Sequence, residues 1–377
     1  MHFDYLIIGA GISGAAAAFE LAAGGTVALI EAENIPGYHS TGRSAALYTR
    51  NYGVPIVQRI NSASHGFFTS PPADFTRYPL LTPRGSLTVA GPGDEGRLSA
   101  VLALSSPDNE IELISAADAR SLAPLLRPDQ VAAAAYEKGV MDIDVAGLHQ
   151  GYLRGLRQRG GMVICNSRID RIEYRQGLWR LSARDTTFVG RIVVNAAGAW
   201  ADEIGAMAGA IPLHLVPKRR TAILVDPPSG ADLGSMPAVE YVDGEAYFKP
   251  DAGKIMASPG DQTSTAPQDA QPDEWDVAVL VDWLERRTTL SISRVAHSWA
   301  GLRSFVEDQV PVVGFDPRAN DFFWLAGQGG FGIMMAPALG KAAQGLIVNG
   351  NLPLELRTIG VEEGALSPGR LIKEASR

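Results

Sequence analysis

Gly9, Gly11 and Gly14, at spacings of two and three, directly follow the apolar run 5–8 in LIIGAGISG. That pattern suits one chemistry, the binding of a pyrophosphate by backbone. Gly9 permits a tight turn out of a strand. Gly11 lets the main chain approach the phosphates, and Gly14 lets a following helix pack on the sheet. Ile12 and Ser13 open that helix, whose N-terminus offers free N–H groups and a partial positive charge. Glu31 lies 22 positions after Gly9, at the end of a second apolar run. A carboxylate there can accept hydrogen bonds from a ribose diol. Strand, turn, helix, strand and acid stand in register and predict a dinucleotide site.

The stretch PGYHSTGRSAA, residues 36–46, separates two nucleotide classes. A nicotinamide domain would usually continue with further β-α units. This chain enters a polar loop of small residues, which suits close passage along a flavin ring and its diphosphate. Ser40, Thr41, Ser44, Ala45 and Ala46 are the expected contacts, with Arg43 as a cation to balance phosphate charge. VVNAAGAW at 193–200 brings Ala197, Gly198 and Trp200 to a second backbone approach. GQGGFGI at 327–333 brings Gly329, Gly330, Phe331, Gly332 and Ile333, whose N–H groups can stabilise charge on a reduced ring. The predicted cofactor is non-covalent FAD. The chain's one cysteine, Cys165, reads as part of a strand remote from these loops. No HxH, HExxH or CxxC spacing predicts a metal, and no nucleophile elbow predicts covalent hydrolysis.

Bulk properties narrow the class. A length of 377 residues, with 46% hydrophobic and 20% charged, predicts a globular protein of two lobes. A net charge of −8 lacks the basic footprint of a nucleic-acid binder. A single thiol cannot form an internal disulfide and fits a reducing cytoplasm. No basic segment precedes the first apolar run, as a secretory signal requires. The apolar stretch 322–340 carries five glycines and a proline, which argues against a spanning helix. The expected location is cytoplasmic, with peripheral attachment to the inner membrane if the electron acceptor is a membrane quinone.

These motifs, with LHQGYLRG, PKRR, KPDAG and WAGLRSF, run from the first strand to near the C-terminus. Together they resemble the D-amino acid oxidase family of FAD-dependent oxidoreductases. Within it the resemblance is strongest to the bacterial D-amino acid dehydrogenases, D-arginine dehydrogenase among them. The resemblance implies an α/β (α+β two-lobed) fold. Residues 1–85, 140–220 and 301–377 would form a Rossmann-like FAD domain. Residues 86–139 and 221–300 would form an interleaved, antiparallel-sheet substrate domain. The implied reaction is oxidative deamination of a D-amino acid by hydride transfer from Cα to flavin N5, with the flavin supplying the hard chemistry. The implied partners are that small molecule and an electron acceptor: a quinone, another carrier or O2.

Such a site must hold a carboxylate, hold a neutral amine and present Cα–H. A carboxylate is best held by a bidentate arginine. Arg303, in WAGLRSF, matches the family's carboxylate-binding arginine. Tyr247, in EAYFKPDAG, matches a tyrosine whose hydroxyl contacts the same group, and Tyr52, in RNYG, matches one at the substrate edge. The backbone carbonyl of Gly330 is expected to receive the amine. No general base is compelling, because a neutral amine can lose hydride without one.

The chain departs from D-arginine dehydrogenase at the selecting carboxylate, here Ser86, and at a histidine after the flavin loop, here Leu47. Both changes favour an apolar or broad side-chain preference, since a buried guanidinium without a partner is costly. Glu240 replaces an apolar pocket residue, and facing inward it would favour a basic substrate. Another small amine, a 2-hydroxy acid, and a flavin-binding subunit without turnover remain as alternatives.

The elements that must position these residues follow from periodicity. Helices are predicted over 15–23, over 144–160 with Asp144 as N-cap, over 275–290 and over 341–350. Strands are predicted over 5–8, 26–30, 162–174 and within 177–198. From residue 221 alternation with Pro, Gly and Asp turns predicts antiparallel sheet.

Overall fold

Val27–Ile30 and Phe322–Ala326 are buried along their whole length, as strands covered on both faces should be. Both belong to the first of two large sheets in the structure, a computed structural model that describes residues 2–372. That sheet runs Arg171–Arg175, Leu178–Ala183, Thr186–Asn195, His2–Ile8, Val27–Ile30, Met162–Ile164. Phe322–Ala326 joins the end of Thr186–Asn195 in parallel and carries Val312–Phe315 beside it. Helices Ile12–Leu21, Val145–Gln158 and Gly332–Gln344 contribute to the core on one face. Trp179, Phe322, Trp324 and Ile204 fill the other. Asp144 caps the second of these helices, its carboxylate accepting from the Gly147 N–H at 2.8 Å.

The second sheet runs Val295–Phe305, Val216–Val225, Lys254–Pro259, Ala246–Asp251, Ala238–Tyr241, Ser86–Ala90, Ala133–Glu137, Ile111–Ser115. Side chains alternate across it. Leu87, Ile223, Val239 and Phe248 share a core with Leu280, Trp283 and Leu284 of helix Glu274–Arg287. The opposite face collects the polar residues. Thr88 pairs with Glu240, Glu240 with Tyr247, and Tyr247 with Ser258. Ile223 pairs with Ala257, so Ser258 shares its face with Arg220 and Lys218, and Lys218 pairs with Arg303.

Four details differ from the sequence reading. The second sheet is mixed rather than antiparallel throughout: Ala238–Tyr241 and Ser86–Ala90, which come from different excursions of the chain, pair in parallel. Val216–Val225 and Val295–Phe305 lie wholly in it, past the borders drawn at 221 and 301. In PKRR, Lys218 and Arg220 face away from the apolar core, whereas Arg219 faces the helix and donates to Asp276 at 2.8 Å. The last long helix starts at Gly332, not after Gly340, and contains Pro337. Its burial overrides two helix-breaking residues, and Gly340 has a purpose there: a side chain on it would meet Ala16 at 3.1 Å. The strand read over 162–174 is two, Met162–Ile164 and Arg171–Arg175, which leaves Cys165 in the connection.

One carboxylate joins several of these elements. Asp316, buried, accepts hydrogen bonds from the N–H groups of Ile211, Arg318 and Ala319 and from Trp324 Nε1, at 2.8–3.0 Å. Asp316→Ala orphans four donors, and each buried one costs about 1–3 kcal/mol. The expected loss of stability is therefore about 3 kcal/mol or more by denaturant unfolding.

Candidate active site

The turn after the first strand is formed by close approach. A side chain on Gly14 would lie 1.9 Å from the Gly9 carbonyl, and one on Gly9 would lie 2.5 Å from the Ala196 carbonyl, with Gly9 at φ +98°. Glu31, 8% exposed, accepts from the Ala10 N–H at 2.8 Å and from the Glu33 N–H at 3.0 Å. Its carboxylate thus fixes the turn as well as facing the cleft. Thr41 Oγ1 accepts from the Ile12 N–H at 3.0 Å, so one donor of the helix N-terminus is already used. His149 braces the turn from behind, with Nε2 2.9 Å from the Ala10 carbonyl. Burial pushes its pKa down, which favours a neutral ring donating that hydrogen bond.

These residues open onto a cleft with about 1280 Å³ of empty space, its mouth included. Gly9, Gly11, Ile12, Ser13, Glu31, Ser40, Thr41, Ala197, Gly198, Trp200, Gly329 and Gly332 line it. So does His39, whose Nε2 lies 3.0 Å from Glu33 and whose ring lies 4.6 Å from that of Trp200. Gly14, Arg43, Ser44, Ala45, Ala46, Gly330, Phe331 and Ile333 stand outside that wall. Arg43 Nη1 donates at 2.9 Å to the carbonyls of Ala270 and Ala300, and Nη2 pairs with Asp269. Its guanidinium ties two chain segments together instead of facing phosphate. Phe331 and Ile333 are buried in the core, against which Ala46 also packs.

Beyond the Gly329 end of the cleft, past Gly330, lies a cationic cluster. The Arg303 guanidinium is 3.2 Å from where a Gly330 side chain would begin. Arg220 feels the charge of Arg303 and lies within electrostatic reach of Tyr52 and Tyr247. Burial first, then Arg303, pulls the Arg220 guanidinium below its ordinary pKa. Its Nη1 donates to the Pro259 carbonyl at 2.8 Å, whereas its buried Nε has no hydrogen bond and only Asp261 at 3.6 Å. Burial raises the Tyr247 phenol above its ordinary value, against the pull of both arginines, so it stays a neutral donor. Tyr52, 46% exposed, stands edge-on to Phe331 with ring centres 4.8 Å apart. Gln58 and Asn61 hold its loop by hydrogen bonds to the carbonyls of residues 51–53.

Arg220 is the residue the sequence reading missed. The signal was present: PKRR was noted, and alternation in a strand holding residues 218–220 puts Lys218 and Arg220 on one face. Glu240 lies on the same face as Tyr247. It remains wetted, yet the surrounding protein desolvates it enough to raise its pKa, and Glu137 adds to the rise. Thr88 Oγ1 donates to it at 3.1 Å.

The family model for FAD dependent oxidoreductases (DAO) matches residues 4–346. The chain belongs to that family. Mouse sarcosine dehydrogenase is 27% identical over 266 residues, which are 64% of this chain and 28% of that protein. The Xenopus laevis FAD-dependent oxidoreductase domain-containing protein 1 is 28% identical over 181 residues, 42% of this chain and 35% of its own. The chain thus spans about a third of the length of these curated relatives. Among solved structures, glycine oxidase from Geobacillus kaustophilus superposes with a TM-score of 0.79 at 21% identity, covering 96% of this chain and 98% of its own. L-proline dehydrogenase from P. horikoshii gives 0.79 at 22%, with 97% of each chain covered. At such identities the likeness is one of fold.

FAD fits the cleft on the structure's own terms. The cradle around Gly9 and Gly14 is backbone with no room for a side chain. Gln328, on the cleft wall, has a buried Nε2 without a hydrogen-bond partner, a donor that an acceptor on the cofactor would satisfy. Among the described residues no cluster of ligands could hold a metal, and no helix is long and apolar enough to cross a membrane. Glu31→Gln removes one of two acceptor oxygens from the turn and should weaken FAD binding about tenfold, the effect of ~1.4 kcal/mol. Titrating apoprotein with FAD and following quenching of flavin fluorescence measures it. Gly14→Val should yield folded protein without bound flavin, visible as lost absorbance in the yellow band.

Proposed function

We propose that the protein oxidises amino acids at Cα, D-amino acids in particular, as the resemblance to D-amino acid dehydrogenases implies. The observation that carries the reading is the pair Arg220 and Arg303. Two guanidinium groups on neighbouring strands repel each other, one of them with an unsatisfied buried N–H. An anion between them relieves both costs, and a carboxylate also accepts from a planar fork in two places. Tyr247 adds a neutral donor from the next part of the same face. The relatives named sarcosine dehydrogenase and glycine oxidase support a substrate that bears both an amine and a carboxylate.

FAD, when bound, accepts hydride from the substrate carbon. The chain does the orienting. Arg303 and Arg220 hold the carboxylate and Tyr247 fixes its rotation. The Gly330 carbonyl accepts a hydrogen bond from the amine and draws Cα toward the Gly327–Gly330 end of the cleft. Two positive charges nearby favour the uncharged amine, the form that can lose hydride. Tyr52 covers the open side and limits water.

Ser86 and Leu47 favour an apolar or broad side-chain preference. A specific observation supports a second reading, a basic side chain. Strands lie about 4.8 Å apart. Glu240 is one strand beyond Tyr247, on the side away from Arg220, so a cationic group extending from a bound amino acid would meet it.

Arg303→Ala should raise KM for an amino acid at least 100-fold, and Arg303→Lys should restore little of it, because charge returns without the fork. An unchanged KM in Arg303→Ala would move the reading to an amine without a carboxylate. Anaerobic bleaching of the flavin by a panel of D-amino acids decides between side chains: loss of D-Arg and D-Lys reduction alone in Glu240→Gln supports the basic reading. Stability gives an independent check. The folded-state pKa of Glu240 is raised above 4.5, so wild-type stability falls as pH rises from there through that raised value. Glu240→Gln should melt higher than wild type at pH 7, with the difference closing below pH 4.5.

A further inference from the structure

The chain that leaves strand Lys254–Pro259 runs on beside Val216–Val225 and extends the ladder. The Arg219 N–H donates to the Thr263 carbonyl at 2.8 Å, and the Thr265 N–H donates to the Pro217 carbonyl at 3.0 Å. One rung is of another kind. The Thr221 N–H meets a side chain, that of Asp261, 3.1 Å from each carboxylate oxygen. Thr221 Oγ1 donates to the same group at 3.3 Å. Close packing fixes the turn before it, since a side chain on Gly260 would stand 2.7 Å from the Gly244 carbonyl.

A short neutral acceptor would satisfy that rung, and an asparagine has the same shape. The carboxylate adds a charge, on a side chain only 7% exposed. Burial raises its pKa, the sign of a charge held at a cost, while Thr221 and Arg220 work the other way. The hydrogen bonds it receives all come from donors, as the ionised form requires. Asp276 also acts on it but is itself engaged by Arg219 at 2.8 Å, and Lys218 donates to Gln262 at 3.0 Å. Among the described residues Asp261 is the one carboxylate in an ion pair with either member of the arginine pair, 3.6 Å from Arg220 Nε. Arg220, Arg303 and Asp261 together carry one net positive charge, which a single carboxylate balances.

We propose that Asp261 is a positioning residue that tempers the grip of the arginine pair on a bound monocarboxylate. It acts through Arg220 and touches no substrate atom. With Nη1 on the Pro259 carbonyl and Nε toward Asp261, one edge of the Arg220 guanidinium is held against the 259–261 turn. The charge has a use in turnover. Oxidation at Cα leaves the carboxylate unchanged, so whatever holds the substrate anion holds the product anion as well. Such uniform binding does nothing for the chemical step and slows release. A fixed countercharge beside one guanidinium keeps the fork for orientation while lowering the affinity for both anions. The inference rests on the reading of Arg220 and Arg303 as the carboxylate site.

The test titrates holoprotein at pH 7 with benzoate, a monocarboxylate, and with benzamide, its uncharged counterpart, following the flavin absorbance. Asp261→Asn keeps an acceptor for Thr221 and removes the charge. Its Kd for benzoate should fall about tenfold, with no gain for benzamide. Asp261→Glu, which keeps the charge, should not share that gain. If Asp261→Asn fails to fold with flavin, Asp261→Ser carries the same expectation, since its hydroxyl can also accept from Thr221. In turnover of an amino acid the neutral variant should show a lower KM. A merely structural residue would move Kd and KM upward, so the sign decides. A benzoate Kd that is equal or higher in the neutral variant would overturn the proposal, and so would an equal gain for benzamide. Wild type that binds no benzoate would overturn the arginine-pair reading and this proposal with it, so the two failures are told apart.

Discussion

Two positive charges that cannot leave one another organise this molecule. Arg220 and Arg303 lie on adjacent, hydrogen-bonded strands, so backbone pairing holds them together despite their repulsion. Asp261 offsets only part of that cost: it sits 3.6 Å from Arg220, and burial raises its own pKa. A folded protein tolerates such a cluster when an anion completes it. The second sheet, with its apolar face tied under one helix, supplies the rigidity that keeps the pair in place.

The arginine pair has use only if it stands at a fixed distance from the cofactor, and side chains on the long loop after the first β-α-β unit set that distance. Ser40 donates to the Leu302 carbonyl at 2.6 Å. Arg43 binds Ala270, Ala300 and Asp269, and Trp299 Nε1 donates back to the Arg43 carbonyl at 3.0 Å. A second tie is half-buried: Asp142 receives Arg84 at 2.6 Å and Lys249 at 2.7 Å. Lys249 follows Tyr247 by two residues and shares its face, so this tie also positions the phenol. The two lobes are joined by charge-assisted bonds, which are shorter and more directional than apolar contact.

The nucleotide cradle was legible in the sequence because its requirements are local. Three glycines, a helix start and an acid must fall at fixed spacings, and all do. The polar face of the second sheet was legible only through resemblance, which supplied Arg303 and Tyr247 but not Arg220. Register across three strands decides whether Arg220 joins them, and register is a property of the whole sheet. Arg43 misled because a cation in a phosphate-binding loop and a cation tying two lobes look alike in one dimension. The Gly332–Gln344 helix was hidden by Gly and Pro residues that serve packing. In each miss a long-range contact outweighed the local preference.

The parallel pairing of Ala238–Tyr241 with Ser86–Ala90 has a consequence for the order in which the protein can assemble. Thr88 and Glu240 are 152 positions apart, and the first strand waits similarly for Thr186–Asn195. The turn at Gly9 rests on Ala196, 187 positions further on, so the cradle has no wall until that segment is in place. Contacts of such separation form slowly, because closing long loops costs entropy before the contacts reward it. The strand His2–Ile8 therefore gains its Thr186–Asn195 partner only after a long loop has closed. Cofactor capture waits on that long-range pairing.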